Sequence, residues 1–144
     1  DMRPVSRGVY DKKGDLNSPT VLNAVYNFRQ FWNGRAKDLK TQIDGPINNP
    51  VEMGINPKFV ENIINRPPYK QKFAKIFYGE KHFTYNDFKD AIAEFEYVLT
   101  TPNCKFDKYL EHKATLSKKE LKGYKLFKSR GCIECHDGQN IGGN

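Results

Sequence analysis

The sequence is poor in cysteine, tryptophan and methionine, and it has no long apolar run. Its 144 residues include three Cys, one Trp and two Met. Three cysteines are too few for the disulfide framework of a small secreted domain. No run of apolar side chains exceeds three residues, whereas a transmembrane helix needs about 20. We therefore expect neither a disulfide scaffold nor a membrane span.

Acidic residues are fewer than basic ones, which leaves a net charge of +7 from 24 Lys and Arg against 17 Asp and Glu. A positive charge favours acidic partners without deciding the fold. Asp and Glu are interleaved with the basic residues, so we do not predict nucleic-acid binding. The one dense basic cluster runs from Lys118 to Arg130. A solvated helix face is its favoured interpretation, and a phosphate-binding patch or a docking surface for an acidic protein stays open.

Two of the three cysteines carry the strongest chemical signal. Cys132, Cys135 and His136 form C-x-x-C-H, the attachment motif of c-type haem. Each thiol can bond to one haem vinyl group, and the adjacent imidazole can then ligate the iron. We predict covalent haem at this motif, with His136 as an axial ligand.

Zinc binding and thiol redox chemistry are the alternatives for this motif. A four-ligand zinc site needs a second pair of ligands, and the remaining Cys104, His82 and His112 lack paired spacing. A thioredoxin-type site would follow a strand, whereas this motif follows a predicted helix. Cys104 is interpreted as an unpaired thiol without a catalytic role.

Two helices are predicted from their first turns. A capping box at Ser117–Glu120 predicts a helix to about Ser129, which Gly131 ends. A second box at Thr84–Asp87 predicts a helix that stops before Pro102. This second helix would turn an apolar stripe towards the core, formed by Phe88, Ile92, Phe95 and Leu99.

The rest of the chain also favours helices over strands. Asn56 followed by Pro57 predicts a helix that ends before Pro67, and a fourth helix is predicted over 68–78. No segment alternates in the manner of a strand. We therefore predict an all-α fold with long ordered loops and little sheet.

The first 55 residues are rich in Asn, Gly and Pro, which predicts loops between short helical pieces. Long ordered loops often hold a functional site. Trp32, Gln42 and Glu52 lie here at ten-residue intervals. On residue type alone, a single Trp is usually a core residue and a Glu beside a turn is usually solvated.

Several separated motifs together carry a resemblance to a known family. They are Asn17–Ala24, Phe31–Ala36, Gly45–Ile47, Asn49–Met53, Pro102–Leu110 and Cys132–His136. In this order, and over nearly the whole chain, they resemble the bacterial dihaem cytochrome c peroxidase family, which includes the related MauG proteins. The resemblance implies two cytochrome c-like, all-α haem lobes. It also implies periplasmic reduction of hydrogen peroxide to water, with electrons from a small donor protein.

The resemblance assigns roles to individual residues. Cys132 and Cys135 would tether the electron-accepting haem c, and His136 would be the proximal ligand of its iron. Trp32 would lie between the two haems and relay electrons. Glu52 would be the distal acid–base residue that moves a proton between the peroxide oxygens.

Two further roles are implied in the same way. Gln42 would help to position Glu52 over the peroxidatic iron. Asn17 would match a residue that helps to hold a calcium ion between the lobes. The complete protein would then carry two haem c groups and a calcium ion. This chain contains the attachment motif of one of the two haems.

Departures from the family pattern predict an incomplete chain. No Cys precedes residue 17, where the attachment motif of the first haem would lie, and both Met2 and Met53 precede the second motif. We expect an internal piece of a longer protein, inactive as a peroxidase in isolation. Val9 stands eight residues before Asn17, where reductively activated members carry a His that caps the iron. We therefore expect the peroxidatic iron to rest open.

The resemblance predicts a boundary near residues 100–104. Residues 1–102 would form part of the N-terminal, peroxidatic lobe, and residues 103–144 would begin the C-terminal, electron-transferring lobe. Besides a peroxidase, an electron-transfer cytochrome and a MauG-like enzyme that modifies protein side chains stay open. The basic surface favours an acidic cytochrome or cupredoxin as donor, and an exchange of lobes between two copies in a homodimer also stays open.

Overall fold

The computed structural model describes residues 3–79 and 82–141, and in them the chain is helical. Seven α-helices follow one another: α1 (Leu39–Gln42), α2 (Asp44–Asn48), α3 (Pro57–Ile64), α4 (Tyr69–Ile76), α5 (Tyr85–Tyr97), α6 (Lys105–Leu110) and α7 (Lys118–Ser129). Short 3-10 turns occupy Val9–Asp11, Ala24–Tyr26 and Cys132–Glu134. Extended pairing in the same residues is limited to isolated bridges between Arg7 and Lys13 and between Gln30 and Ala36. The prediction of an all-α fold is confirmed; Met2 lies outside the described residues.

The predicted helix starts are correct. The side chains of Thr84 and Ser117 each accept a hydrogen bond from the amide of the third helical residue. The carboxylate of that third residue accepts a hydrogen bond from the amide of the cap residue, so both capping boxes are formed. Asn56 caps α3 ahead of Pro57. A third box was not predicted: the Cys104 Sγ accepts the Asp107 amide at 3.4 Å and begins α6. Cys104 is a free, exposed thiol that caps the N-terminus of α6.

The core lies among α1, α2, α3 and α5. Its buried apolar residues are Ala24, Leu39, Ile43, Ile47, Val60, Ile64, Phe83 and Ala93. Phe83 is fully enclosed, and its ring centroid lies 5.5 Å from that of Phe73. The Asn65 side chain brackets Phe83 by accepting its amide at 3.0 Å and donating to its carbonyl at 2.7 Å. A buried large apolar side chain contributes about 1.5–3 kcal/mol to stability, so this cluster is the main source of tertiary stability.

The predicted apolar stripe of α5 is only partly correct. Phe88 and Ile92 pack against the core, but Phe95 is 62% exposed. Phe88 and Phe95 are seven residues apart and lie only about 20° from each other around the helix, so helix rotation does not explain the difference. Phe95 lies in the last turn of α5, where Tyr97 and the following Val98 are also half or more exposed.

Two ion pairs attach the α1–α2 segment to α5. Lys40 Nζ lies 2.5 Å from an Asp90 carboxylate oxygen, and Lys89 Nζ lies 3.0 Å from Asp44. Together with the buried Leu39, Ile43 and Ile47, these contacts fix the end of α1. Gln42 is the last residue of that helix, so its backbone position is set by core packing.

The segment after residue 103 is built differently. Phe106, Tyr109 and Tyr124 form a three-ring cluster, with Phe106 and Tyr124 edge to face at 5.1 Å. Lys105 Nζ also meets Glu120 at 2.6 Å. Neither α6, α7 nor the Cys132–Glu134 turn contains a buried residue. Among the helices of the described part of the chain, none combines the length and the apolar character that crossing a membrane requires.

Candidate functional site

One cavity collects all four residues that the sequence singles out in the first half of the chain. It has a volume of about 530 Å³, and its wall includes Asn17, Trp32, Gln42 and Glu52. These residues come from two loops, the end of α1 and a turn after α2, so only the tertiary fold brings them together. The cavity combines an indole, two amides and a carboxylate, which are groups that can orient a small polar substrate and transfer protons.

Glu52 is held by its neighbour in a tight turn. The Asn49 Nδ2 donates to Glu52 Oε1 at 2.8 Å, and the Glu52 amide donates to the Asn49 carbonyl at 2.9 Å. The Asn49 Oδ1 accepts the Val51 amide at 3.1 Å. Asn49 therefore fixes both the backbone and one carboxylate oxygen of Glu52, and the second oxygen is not used in this contact.

A hairpin-like loop formed by residues 6–16 packs on the same turn. The Val9 amide donates to the Glu52 carbonyl at 2.7 Å, and Lys12 Nζ donates to the Pro50 carbonyl at 3.2 Å. A Cβ added at Gly8 would lie 2.1 Å from the Val51 carbonyl oxygen and 2.5 Å from the Glu52 Cα. Glycine at position 8 is therefore required for the backbones to approach this closely.

Trp32 is not a core residue. Its side chain is 69% exposed at the edge of the cavity. Its Nε1 donates to the Asn17 carbonyl at 3.0 Å, so the ring fixes the segment that carries Asn17. The Asn17 Nδ2 donates in turn to the Arg3 carbonyl. A largely exposed Trp held by a hydrogen bond is typical of a contact surface rather than of core packing.

The C-x-x-C-H motif lies after α7, outside this cavity. Gly131, with φ of +76°, ends the helix in the left-handed conformation that glycine tolerates. The next residues form the turn Cys132–Glu134, and the His136 amide donates to the Cys132 carbonyl at 2.9 Å. Both cysteines are free and exposed. The two exposed thiols therefore lie in and directly after one short turn, and His136 follows them.

The contact of the His136 ring is compatible with the role of an axial haem ligand. His136 Nδ1 lies 3.1 Å from the Ile141 carbonyl. A proton on Nδ1 would be donated to that oxygen and would leave the Nε2 lone pair for iron, the arrangement usual for metal-bound histidine. Within residues 3–79 and 82–141, no three His, Cys, Asp or Glu side chains group in a way that could hold a metal. The motif follows helix α7, as the sequence predicts, and not a strand.

Comparison with known proteins places the chain in a family. Residues 1–115 match the family described as di-haem cytochrome c peroxidase. The chain belongs to this family. It is 47% identical over 135 residues to the cytochrome c551 peroxidase of Nitrosomonas europaea, and the match covers 92% of this chain and 40% of that protein. It is 44% identical over 146 residues to the cytochrome c551 peroxidase of Pseudomonas aeruginosa, and this match covers 99% of this chain and 42% of that protein.

The fold agrees with that of solved relatives of the di-haem peroxidase family. The crystal structure of a MauG-like protein associated with microbial copper homeostasis matches with a TM-score of 0.82 at 24% identity, over 99% of this chain and 45% of the other. The predicted cytochrome c-like fold is thereby confirmed. This chain spans about two fifths of the length of the curated relatives it matches.

Three residues of the cavity and its surroundings are not predicted from the sequence. Asn49 and Gly8 position Glu52, as described above. Glu96 of α5 also lines the cavity, and burial raises the pKa of its carboxyl group. The pattern Asn49-Pro50-Val51-Glu52 contains an Asx-turn signal that could have identified Asn49. Nothing local in the sequence indicates Gly8 or Glu96, because both reach the cavity through long-range packing.

Proposed function

We propose that the complete protein reduces hydrogen peroxide to water in the periplasm. The reaction joins H₂O₂, two protons and two electrons into two water molecules, with the electrons supplied by a small redox protein. The observation that carries the proposal is the cavity in which Glu52, Gln42 and Trp32 meet. The family to which the chain belongs supports peroxidase chemistry of this kind.

Glu52 is proposed as the acid–base residue. Peroxide cleavage needs a group that takes the proton from one oxygen and delivers it to the departing oxygen. Because Asn49 holds one carboxylate oxygen at 2.8 Å, the Glu52 side chain is fixed and the other oxygen can serve as the proton carrier. Gln42, on the cavity wall, is proposed to orient the peroxide and Glu52 by hydrogen bonding.

The peroxidatic haem, when bound, would supply the redox chemistry that cleaves the O–O bond of the peroxide. This chain contributes the attachment site of the other, electron-accepting haem, at which Cys132 and Cys135 would form the thioether bonds and His136 would face the iron. Trp32 is proposed to relay electrons towards the peroxide cavity, since its exposed indole forms the cavity edge.

The finer parts of the proposal concern the rest of the site. Asn17 would offer an amide oxygen to a calcium ion between the lobes, as oxygen ligands suit that cation. The backbone of Val9 is bound to Glu52 and its side chain has no nitrogen to offer iron. An iron that rests open in the oxidised protein is therefore proposed. The lobe division at residues 1–102 and 103–144 remains a prediction.

Glu52→Gln in the full-length, haem-loaded protein tests the proposal. Losing the proton carrier should lower kcat/KM for peroxide by about 100-fold or more. Reduction of the haems by a small chemical reductant should not change. Glu94→Gln is the matched control, because Glu94 is an exposed carboxylate of α5 that does not line the cavity.

Unchanged peroxide turnover in Glu52→Gln would remove Glu52 as the acid–base residue. If the unmodified protein also accepted electrons without turning over peroxide, the electron-transfer cytochrome would become the better description. Oxidation of protein side chains in place of peroxide turnover would favour the MauG-like alternative.

A further inference from the structure

Helix α7 carries an unbalanced positive charge. Between Ser117 and Arg130 the chain has six basic residues and one acidic residue: Lys118, Lys119, Lys122, Lys125, Lys128 and Arg130 against Glu120. The excess is +5 over fourteen positions, which is most of the net charge of +7 on the whole chain. A local concentration of this kind produces a strong surface potential.

The single carboxylate of α7 does not neutralise its lysines. Glu120 accepts Lys105 Nζ at 2.6 Å and the Ser117 amide at 2.7 Å. Lys128 Nζ lies 4.3 Å from the ring centroid of Tyr124. Throughout the described ranges, Lys118, Lys122 and Lys125 form no ion pair with any carboxylate. These three ammonium groups are therefore available to a partner.

The three lysines share one helical face with apolar neighbours. Positions 118, 122 and 125 lie at i, i+4 and i+7 and so form one row. With Leu121, Leu126 and Ser129 they line a shallow groove of about 420 Å³. Leu126 is 45% exposed. An apolar floor with a charged rim is the usual composition of a protein-binding surface, and a solvated lysine face needs no apolar floor.

The groove adjoins the haem-attachment turn. α7 ends at Ser129 and contacts the turn Cys132–Glu134. Lys125 lies about one helical turn before Ser129, and Cys132 follows Ser129 by three residues. A protein docked on this face would thus lie beside the haem that we propose at Cys132 and Cys135.

We propose that this face of α7, the basic groove, docks an acidic electron-donor protein. The inference rests on the proposed function and names the partner's chemistry. The lysine row extends for about 10 Å along the helix, which exceeds the size of one phosphate group. A second copy of this chain carries the same net charge of +7 and would be repelled. A small acidic redox protein satisfies both the charge and the size of the groove.

Charge reversal in the full-length, haem-loaded protein tests this proposal. The variant Lys122→Glu/Lys125→Glu changes the groove, and Lys72→Glu/Lys75→Glu on α4 is the matched control with the same net charge. The probes are a reduced acidic cupredoxin, such as plastocyanin, and a small uncharged reductant. Second-order rates of haem reduction are measured by stopped flow between low and high ionic strength.

The groove variant should react with the acidic cupredoxin at least tenfold more slowly than the unmodified protein at low salt, and its dependence on ionic strength should weaken. The α4 variant should change by less than threefold. Both variants should keep the rate of reduction by the uncharged reductant, which shows that the haem and its lobe are intact.

Equal losses in the two variants would assign the effect to net charge and overturn the groove. So would an unchanged rate in the groove variant. If the groove variant also lost its rate with the uncharged reductant, the basic groove would be shown to pack against the protein's own chain. If the groove variant bound anionic vesicles more weakly but kept its rate with the cupredoxin, the groove would be assigned to a membrane surface. Peroxide turnover with the uncharged reductant is measured separately, so failure of the peroxidase proposal does not disguise failure of the docking proposal.

Discussion

Two regions of the chain, both helical and both well capped, obtain their stability in different ways. The first region, residues 3–99, encloses a cluster of aliphatic side chains around the fully buried Phe83. The second region, residues 104–141, contains no buried side chain in its described elements. Its order comes from two capping boxes and one aromatic cluster. The first region thus forms its own core, whereas the described elements of the second region do not enclose one.

This difference agrees with the roles proposed for the two regions. In the first region the packing positions a cavity and a carboxylate, and a small displacement of Glu52 would disturb proton transfer. In the second region the exposed thiols of Cys132 and Cys135 are open to a large planar group. Covalent haem would tie this turn to a large rigid group, so cofactor attachment and folding are expected to be linked there.

The largest expected effect is the loss of the central ring of the first region. Phe83→Ala should lower the free energy of unfolding by about 3–5 kcal/mol, because it removes a fully buried aromatic side chain and leaves a cavity. Phe106→Ala in the second region should cost only about 1 kcal/mol, since its ring pairs are partly exposed. Urea denaturation followed by circular dichroism measures both values. Equal costs would show that the second region has a core of its own.

Haem attachment should affect the second region far more than the first. Amide hydrogen exchange in α7 should slow by about 100-fold in the haem-loaded protein relative to Cys132→Ala/Cys135→Ala, corresponding to ~2.7 kcal/mol of linkage. Amides of α3 and α5 should change by less than threefold and provide the internal control. Equal slowing in all helices would instead indicate that the two regions unfold as one unit.

Local signals allowed much of the helical structure to be predicted. Ser117, Thr84 and Asn56 mark helix starts because side-chain capping is a contact between near neighbours. Phe95 was wrongly assigned to the core because the position of a helix relative to its neighbours decides which part of an apolar stripe is buried. Trp32, interpreted as core on residue type alone, proved 69% exposed.

The site was predicted less completely than the helices. The cavity brings together Asn17, Trp32, Gln42 and Glu52, but no spacing rule requires this, and the residues were identified through resemblance. Gly8 escaped notice because its importance depends on the Val51 carbonyl, which lies 43 positions away in sequence. Contacts between distant segments carry no local signal, so they become visible only in the folded chain.

A pair of glycines, one in each region, sharpens the comparison further. Gly8→Ala should destabilise the chain by about 1–3 kcal/mol, because its Cβ would meet backbone atoms at 2.1 Å. Gly123→Ala in α7 should stabilise it by about 0.5–1 kcal/mol, because nothing lies within 4 Å of the added Cβ and alanine favours the helix. Denaturant midpoints measure the two changes.

Gly14→Ala serves as the control within the same loop as Gly8. Its Cβ would clash with the Ser6 Oγ at 2.2 Å and meet other Ser6 atoms only at ordinary contact distances of 3.5 and 3.8 Å. Because the Ser6 side chain can rotate away, little loss is expected. In the full-length protein, Gly8→Ala should also lower kcat for peroxide. A neutral Gly8→Ala would show that the loop does not hold Glu52.

The smallest expected effect concerns the start of α7 in acid. The hydrogen bond from Lys105, together with those from Ser117, lowers the pKa of Glu120 from 4.5 to about 2. A carboxylate with a lowered pKa in the folded state stabilises that state above its unfolded pKa, and the contribution is lost as the pH falls from 4.5 to about 2. The first turn of α7 should therefore loosen in this pH window, as followed by NMR titration of Glu120 and its neighbouring amides.

Lys105→Met should move the Glu120 titration towards 4.5 and leave Asp38 unchanged, because Thr41 in the first region lowers the pKa of that carboxyl group. If Glu120 already titrates near its ordinary value in the unmodified protein, the Lys105 contact does not join α6 to α7, and the aromatic cluster alone connects these two helices.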